Sequence, residues 1–91
     1  MPLPSRKRRD DLVAALLRHF TAAFRRTRRG NLTQTYEGLC VTVFFHTQDY
    51  RWCIASPEAG ARFSRYGYED EESCISSLAS ELGLYEVTSV A

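Results

Sequence analysis

The segment FRRTRRG, residues 24–30, sets Arg25, Arg26, Arg28 and Arg29 close together, with Arg18 upstream on the same predicted helix. Guanidinium forks match the geometry of phosphate oxygens, so the chemistry these residues offer is recognition of a polyanion. The competing reading is a solvated helix face, or pairing with the acidic cluster Glu69–Glu72, and exposed pairs of that kind contribute only ~0–1 kcal/mol each. Catalytic chemistry has less to work with. Only His19 and His46 titrate near neutrality unperturbed. Cys40 or Cys53 would form a thiolate pair with His46 only if the fold brought them together. The chain has no phosphate-cradling glycine loop, nucleophile elbow or paired-carboxylate cleft. We therefore expect no enzyme and no catalytic residue. Cys40, Cys53 and His46 fall on one predicted sheet face, but no CxxC or HxxxH spacing accompanies them, so neither a metal nor a cofactor is implied.

The net charge of +1 conceals a strong asymmetry. Residues 1–30 carry nine Lys or Arg against Asp10 and Asp11, whereas residues 31–91 carry three against nine acids. A basic segment joined to an acidic body suggests an anionic partner: nucleic acid, a membrane surface, or the acidic part of the same chain. Three cysteines are an odd number, which favours a reducing, cytoplasmic setting over a disulfide framework. The apolar run LVAALL ends at Arg18, too short to span a membrane.

Ninety-one residues make one domain with a small core. MPLPSRKRR, with two prolines and no apolar period, reads as a flexible basic arm over residues 1–9. A helix is expected from Asp10, with Leu12, Leu16, Phe20 and Phe24 repeating at every fourth position and Gly30 as its closing residue. Thr33–Glu37 is a short edge strand, LCVTVFFH (39–46) and RWCIAS (51–56) are paired strands, and RFSRYGY (62–68) is a third long strand. A hairpin loop at Gln48–Asp49 would set Phe45 against Trp52, Val43 against Ile54, Phe44 against Cys53 and His46 against Arg51. The second helix follows Asp70 as N-cap and buries Ile75, Leu78, Ala79 and Leu82. Gly83 and Leu84 are placed for a Schellman ending. The domain body is thus residues 10–84, and YEVTSVA (85–91) is a tail.

The fold class expected is α+β, in the order α-β-β-β-α: a small antiparallel sheet of three to four strands, covered on one face by two helices. Double-stranded-RNA-binding domains share that order and grip phosphates with basic residues at the start of the second helix. Here the corresponding place reads Glu69, Asp70, Glu71, Glu72, which repels a phosphate, so the order alone carries no membership.

Two further features bear on partners. Ser73, Ser76, Ser77 and Ser80 recur along one side of the second helix as a stripe of small residues, a candidate self-association surface. The second sheet face holds Thr42, Phe44, His46, Arg51, Cys53 and Ala55, groups able to stack on bases or to meet a second copy. The expected function is a small binding module that takes nucleic acid or another polyanion through Arg18, Arg25, Arg26, Arg28, Arg29 and the basic arm. The alternative is a protein–protein or homodimerisation module using Phe44 or the serine stripe. Membrane or calmodulin-like docking of the first helix competes with the sheet for the same apolar stripe.

Overall fold

The computed structural model describes residues 6–84, with side chains from Asp11 onward. Residues 1–5 of the predicted arm and the tail 85–91 lie outside the described residues. Two helices and five strands follow one another as α1 (Arg6–Ala22), β1 (Arg25–Arg26), β2 (Leu32–Tyr36), β3 (Leu39–His46), β4 (Asp49–Ser56), β5 (Gly60–Phe63) and α2 (Glu71–Glu81). The sheet is a wholly antiparallel meander in the order β1-β2-β3-β4-β5. The α+β class and the element order agree with the sequence; the strand number is five.

The fifth strand comes from the arginine segment. The first helix begins at Arg6 rather than Asp10, and it ends at Ala22, well short of Gly30. Its last turn tightens: the Ala23 amide donates to both His19 and Phe20 carbonyls, and the Phe24 amide reaches Thr21. Arg25 and Arg26 then pair with Thr33 and Leu32. The Thr27 amide donates to the Asn31 carbonyl at 2.7 Å, the Asn31 amide to the Thr27 hydroxyl at 3.1 Å, and the Gly30 amide to the Thr27 carbonyl at 2.9 Å. Gly30 has φ 85°, so its conformational freedom serves a hairpin turn and not a helix cap. Backbone pairing with β2 outweighs the helical apolar period that continues through Phe24. Phe24 still packs on Phe20, edge to face, with centroids 5.2 Å apart.

Strand pairing keeps the predicted faces but not the predicted partners. The β3–β4 loop is Thr47–Gln48, so Val43 lies against Trp52, Phe44 against Arg51, Phe45 against Tyr50 and Val41 against Ile54. The register is displaced by two residues, which preserves which side each residue faces. The third long strand is shorter than RFSRYGY. It stops at Phe63, and pairing with β4 resumes only at Tyr68 opposite Tyr50. Ser64 fills the interval: its amide donates to the Trp52 carbonyl at 2.8 Å, and its hydroxyl accepts from the Trp52 amide at 3.2 Å.

The core lies between the helices and one sheet face. Val41, Val43, Trp52 and Ile54 supply the sheet side, Cys74, Ile75, Leu78 and Ala79 come from α2, and Phe20 comes from α1. The second helix matches its reading closely. The Asp70 carboxylate accepts from the Ser73 amide at 2.7 Å, and that bond holds the Asp70 carboxyl below its ordinary pKa. At the other end the Leu84 amide donates to the Ala79 carbonyl and the Gly83 amide to the Ser80 carbonyl, each at 3.0 Å, a Schellman ending with Gly83 at φ 80°.

The first helix is seated only by its final turns. Phe20 is buried and stands 5.6 Å from Tyr36, edge to face, and Gln34 Nε2 donates to the Phe20 carbonyl at 2.8 Å. Further back, Leu12 and Leu16 are 58% and 47% exposed. The molecule is accordingly elongated, 48 Å by 29 Å by 27 Å. No helix among the described residues is long and apolar enough to cross a membrane.

Candidate nucleic-acid interface

The hairpin splits the arginine cluster. In the pairing of β1 with β2, Arg26 stands opposite Leu32 on the covered side of the sheet, and Arg25 stands opposite Thr33 on the other side. Arg26 Nη2 lies 3.2 Å from Glu71 Oε2, and its Nη1 donates to the Gly30 carbonyl at 2.7 Å. One arginine therefore ties the turn to the start of α2, which is the pairing with the acidic cluster that the sequence left as the competing reading. Arg25, Arg28 and Arg29 are exposed and have no ion-pair partner among the described residues. Arg18 is exposed on α1 and likewise unpaired among them. The expected single arginine-bearing helix face does not exist, because Arg25, Arg26, Arg28 and Arg29 lie beyond the end of α1.

Both helices pack on the face that carries Val41, Val43, Trp52 and Ile54, so the opposite face is open among the described residues. One row of paired residues crosses all five strands there: Arg25, Thr33, Thr42, Cys53, Phe63. The next row carries Phe44 and Arg51, and the outermost carries His46 and Asp49. Phe44 and Phe63 meet edge to face, with centroids 6.3 Å apart and ring planes at 90°. Phe63 is 60% exposed. Arg51 is held along the strand by Asp49, with Nε 3.0 Å from Oδ1 and Nη2 3.4 Å from Oδ2. Asp49 is confined in turn by Gly67, where a methyl group would stand 1.9 Å from Asp49 Oδ2.

These features share one end of the sheet. The Thr27–Gly30 turn precedes Leu32, which pairs with Val43, so it sits at the β3–β4 hairpin end, level with Phe44 and His46. The segment after Phe63 also runs toward that end, as Tyr68 pairs with Tyr50, and it brings exposed Arg65 and Tyr66. The sequence named Phe44, His46 and Arg51 for this face but missed Phe63, Arg25 and Arg65. Its only available signal was the alternation in GARF, which the longer strand reading obscured.

The serine stripe divides as well. Ser77 faces inward: its hydroxyl accepts from the Trp52 indole N–H at 3.1 Å and lies 2.5 Å from the Tyr68 hydroxyl. It is the polar partner of a buried tryptophan, which explains a serine at that position better than a self-association surface does. Ser73, Ser76 and Ser80 line an open groove of about 650 Å³ between the helices with Leu17, Asp70, Glu72 and Glu81. Those carboxylates repel phosphate, so the groove is not part of a polyanion interface.

The thiols do not form a reactive centre. Cys40 is exposed, Cys53 half-buried and Cys74 buried, and all three are free. Burial, and secondarily Cys40, pushes the Cys53 thiol up; burial, followed by Glu71 and Asp49, pushes Cys74 up to about 12. Raised values leave the thiols protonated at neutral pH, the opposite of an activated nucleophile. No group of three or more metal-ligating side chains occurs among the described residues. No protein family model, curated protein or solved structure matches the chain.

Proposed function

We propose that the protein is a small non-enzymatic module that binds nucleic acid through the β1–β2 hairpin and the sheet end beside it. One observation carries the reading: Arg25, Arg28 and Arg29 are exposed, free of acidic partners among the described residues, and adjacent to an open sheet face bearing Phe44 and Phe63. Arginines spent on helix-dipole compensation would lie in the last turn of α1, and these do not. The acidic residues of α2 pack behind the sheet, which leaves the open side positively biased. The free thiols suit a reducing compartment such as the cytoplasm.

The test is an anisotropy titration of the full chain against labelled oligonucleotides at several salt concentrations. Three phosphate contacts give a log–log salt slope of roughly −2 on a single strand and roughly −3 on a duplex. Replacing Arg28 and Arg29 together by glutamate is expected to abolish binding while the fold persists. Unchanged binding in that variant would remove the hairpin from the interface. A second reading is a homodimer closed over the open face, favoured by the exposure of Phe63. Sedimentation at micromolar concentration separates the two.

A further inference from the structure

From the arrangement of Phe44, Phe63 and Arg25 on the open face we infer that the ligand is a single strand, with at least one base unstacked from its neighbours and laid on the two phenylalanine rings. This rests on the nucleic-acid reading above and specifies its substrate class. A duplex offers its phosphates outward and keeps its base faces hidden, so a duplex docked here would press charged oxygens onto apolar rings. A single strand offers both parts separately: phosphates to arginine and base faces to aromatic rings.

The geometry fits that division. The two rings stand at 90° with centroids 6.3 Å apart and so form a corner. A base stacked on one ring meets the other at its edge, an arrangement that aromatic quadrupoles favour. Arg25 lies in the same row as Phe63, at the far side of the sheet, with Thr33, Thr42 and Cys53 between them. Four interstrand steps span about 19 Å, enough for a strand to cross from the rings to the hairpin. Arg51 pairs with Phe44 across the strands and is already engaged by Asp49. That doublet presents guanidinium donors and carboxylate acceptors beside the corner, which suits the hydrogen-bonding edge of a base better than a phosphate.

The experiment uses the full chain and four labelled probes of equal length: single-stranded DNA, single-stranded RNA, duplex DNA, and a strand of abasic sites that keeps the phosphates and lacks the bases. The two single strands separate a DNA-binding from an RNA-binding module. The variants are Phe63→Ala, Phe44→Leu, and Arg28→Glu with Arg29→Glu, each checked for folding by the emission of Trp52, which is buried on the covered face. The expected result is at least tenfold tighter binding of one base-bearing single strand than of duplex or abasic strand. Phe63→Ala and Phe44→Leu each weaken it severalfold without changing the salt slope. Equal binding of the abasic strand or the duplex, or no effect of the phenylalanine variants, overturns the single-strand inference and leaves the arginine hairpin as a polyanion site. No binding of any probe, or full binding by the double arginine variant, overturns the underlying reading. Conversion of a dimer to a monomer by Phe63→Ala assigns the face to a second copy and overturns the inference as well.

Discussion

Arg26 and Glu71, forty-five residues apart, meet at 3.2 Å and fasten the arginine turn to the first turn of α2. The same guanidinium reaches the Gly30 carbonyl, so it closes the turn from inside. Both partners are solvent-accessible, and the pair therefore contributes ~0–1 kcal/mol. Arg26→Gln is expected to shift a urea midpoint by no more than that, and to weaken oligonucleotide binding less than Arg28→Gln does. Glu71→Gln releases a guanidinium and removes a negative charge, so it is expected to tighten binding at low salt. Equal losses for Arg26→Gln and Arg28→Gln would mean that the ion pair opens on binding.

Ser77 is the polar support of the core. Trp52 is 5% exposed, and its indole N–H donates to the Ser77 hydroxyl, which also meets the Tyr68 hydroxyl. Ser77→Ala leaves a buried donor unsatisfied and is expected to cost about 1–3 kcal/mol. Urea unfolding followed by Trp52 emission measures it. A change below about 0.5 kcal/mol would place water or another acceptor at the indole.

Cys74 makes stability depend on alkaline pH. Its folded pKa of about 12 lies above the ordinary thiol value, so the folded state holds the proton more tightly than the unfolded chain. Its contribution is complete below the unfolded value near 8.5 and declines as pH rises from there toward 12. Cys74→Ala is expected to flatten the fall of the urea midpoint between neutral and alkaline pH. Alkylation under native conditions is expected at exposed Cys40 first, and at Cys74 only on unfolding.

Glu37 occupies a backbone position that suits asparagine. The β2–β3 loop is Glu37–Gly38, with φ values of 48° and 80°, the pattern of a type I′ hairpin turn. A non-glycine residue in the left-handed region costs about 1–2 kcal/mol, and asparagine tolerates it best. Glu37→Asn is expected to stabilise the protein by about 1 kcal/mol, read as a higher thermal midpoint. Glu37→Val is expected to do the reverse.

The parts legible in the sequence are those fixed by local chemistry. Asp70 caps α2 and Gly83 with Leu84 closes it, because both ends are written in residues that touch one another along the chain. LCVTVFFH is β3 residue for residue, and the alternation in β3 and β4 assigned their faces correctly. What escaped was decided at a distance. Nothing local distinguishes Phe24 as the next turn of a helix from Phe24 as the approach to a strand. The pairing of Arg25 and Arg26 with Thr33 and Leu32 settles it. The strand register moved by two because the turn formed at Thr47–Gln48, with Thr47 at φ 61°, where Gln48–Asp49 had the better turn composition. At the candidate site the arginines were legible as a group, but their division between Glu71 and the open face was not. Phe63 was hidden because strand β5 is interrupted at Ser64.

The short first strand also limits how copies of the chain can stick together. β1 pairs with only the first two residues of β2, and both of its residues are arginine. The rest of the β2 margin, Gln34 to Tyr36, borders a hollow walled by Leu16, His19, Phe20 and Leu84. At the opposite margin β5 has four residues before the chain bends away at Ser64. Neither border offers the long, flat, uncharged template on which strands from other molecules polymerise. A hairpin that carries arginine thus doubles as a guard against fibre growth, and replacing Arg25 and Arg26 with valine would expose the protein to that hazard.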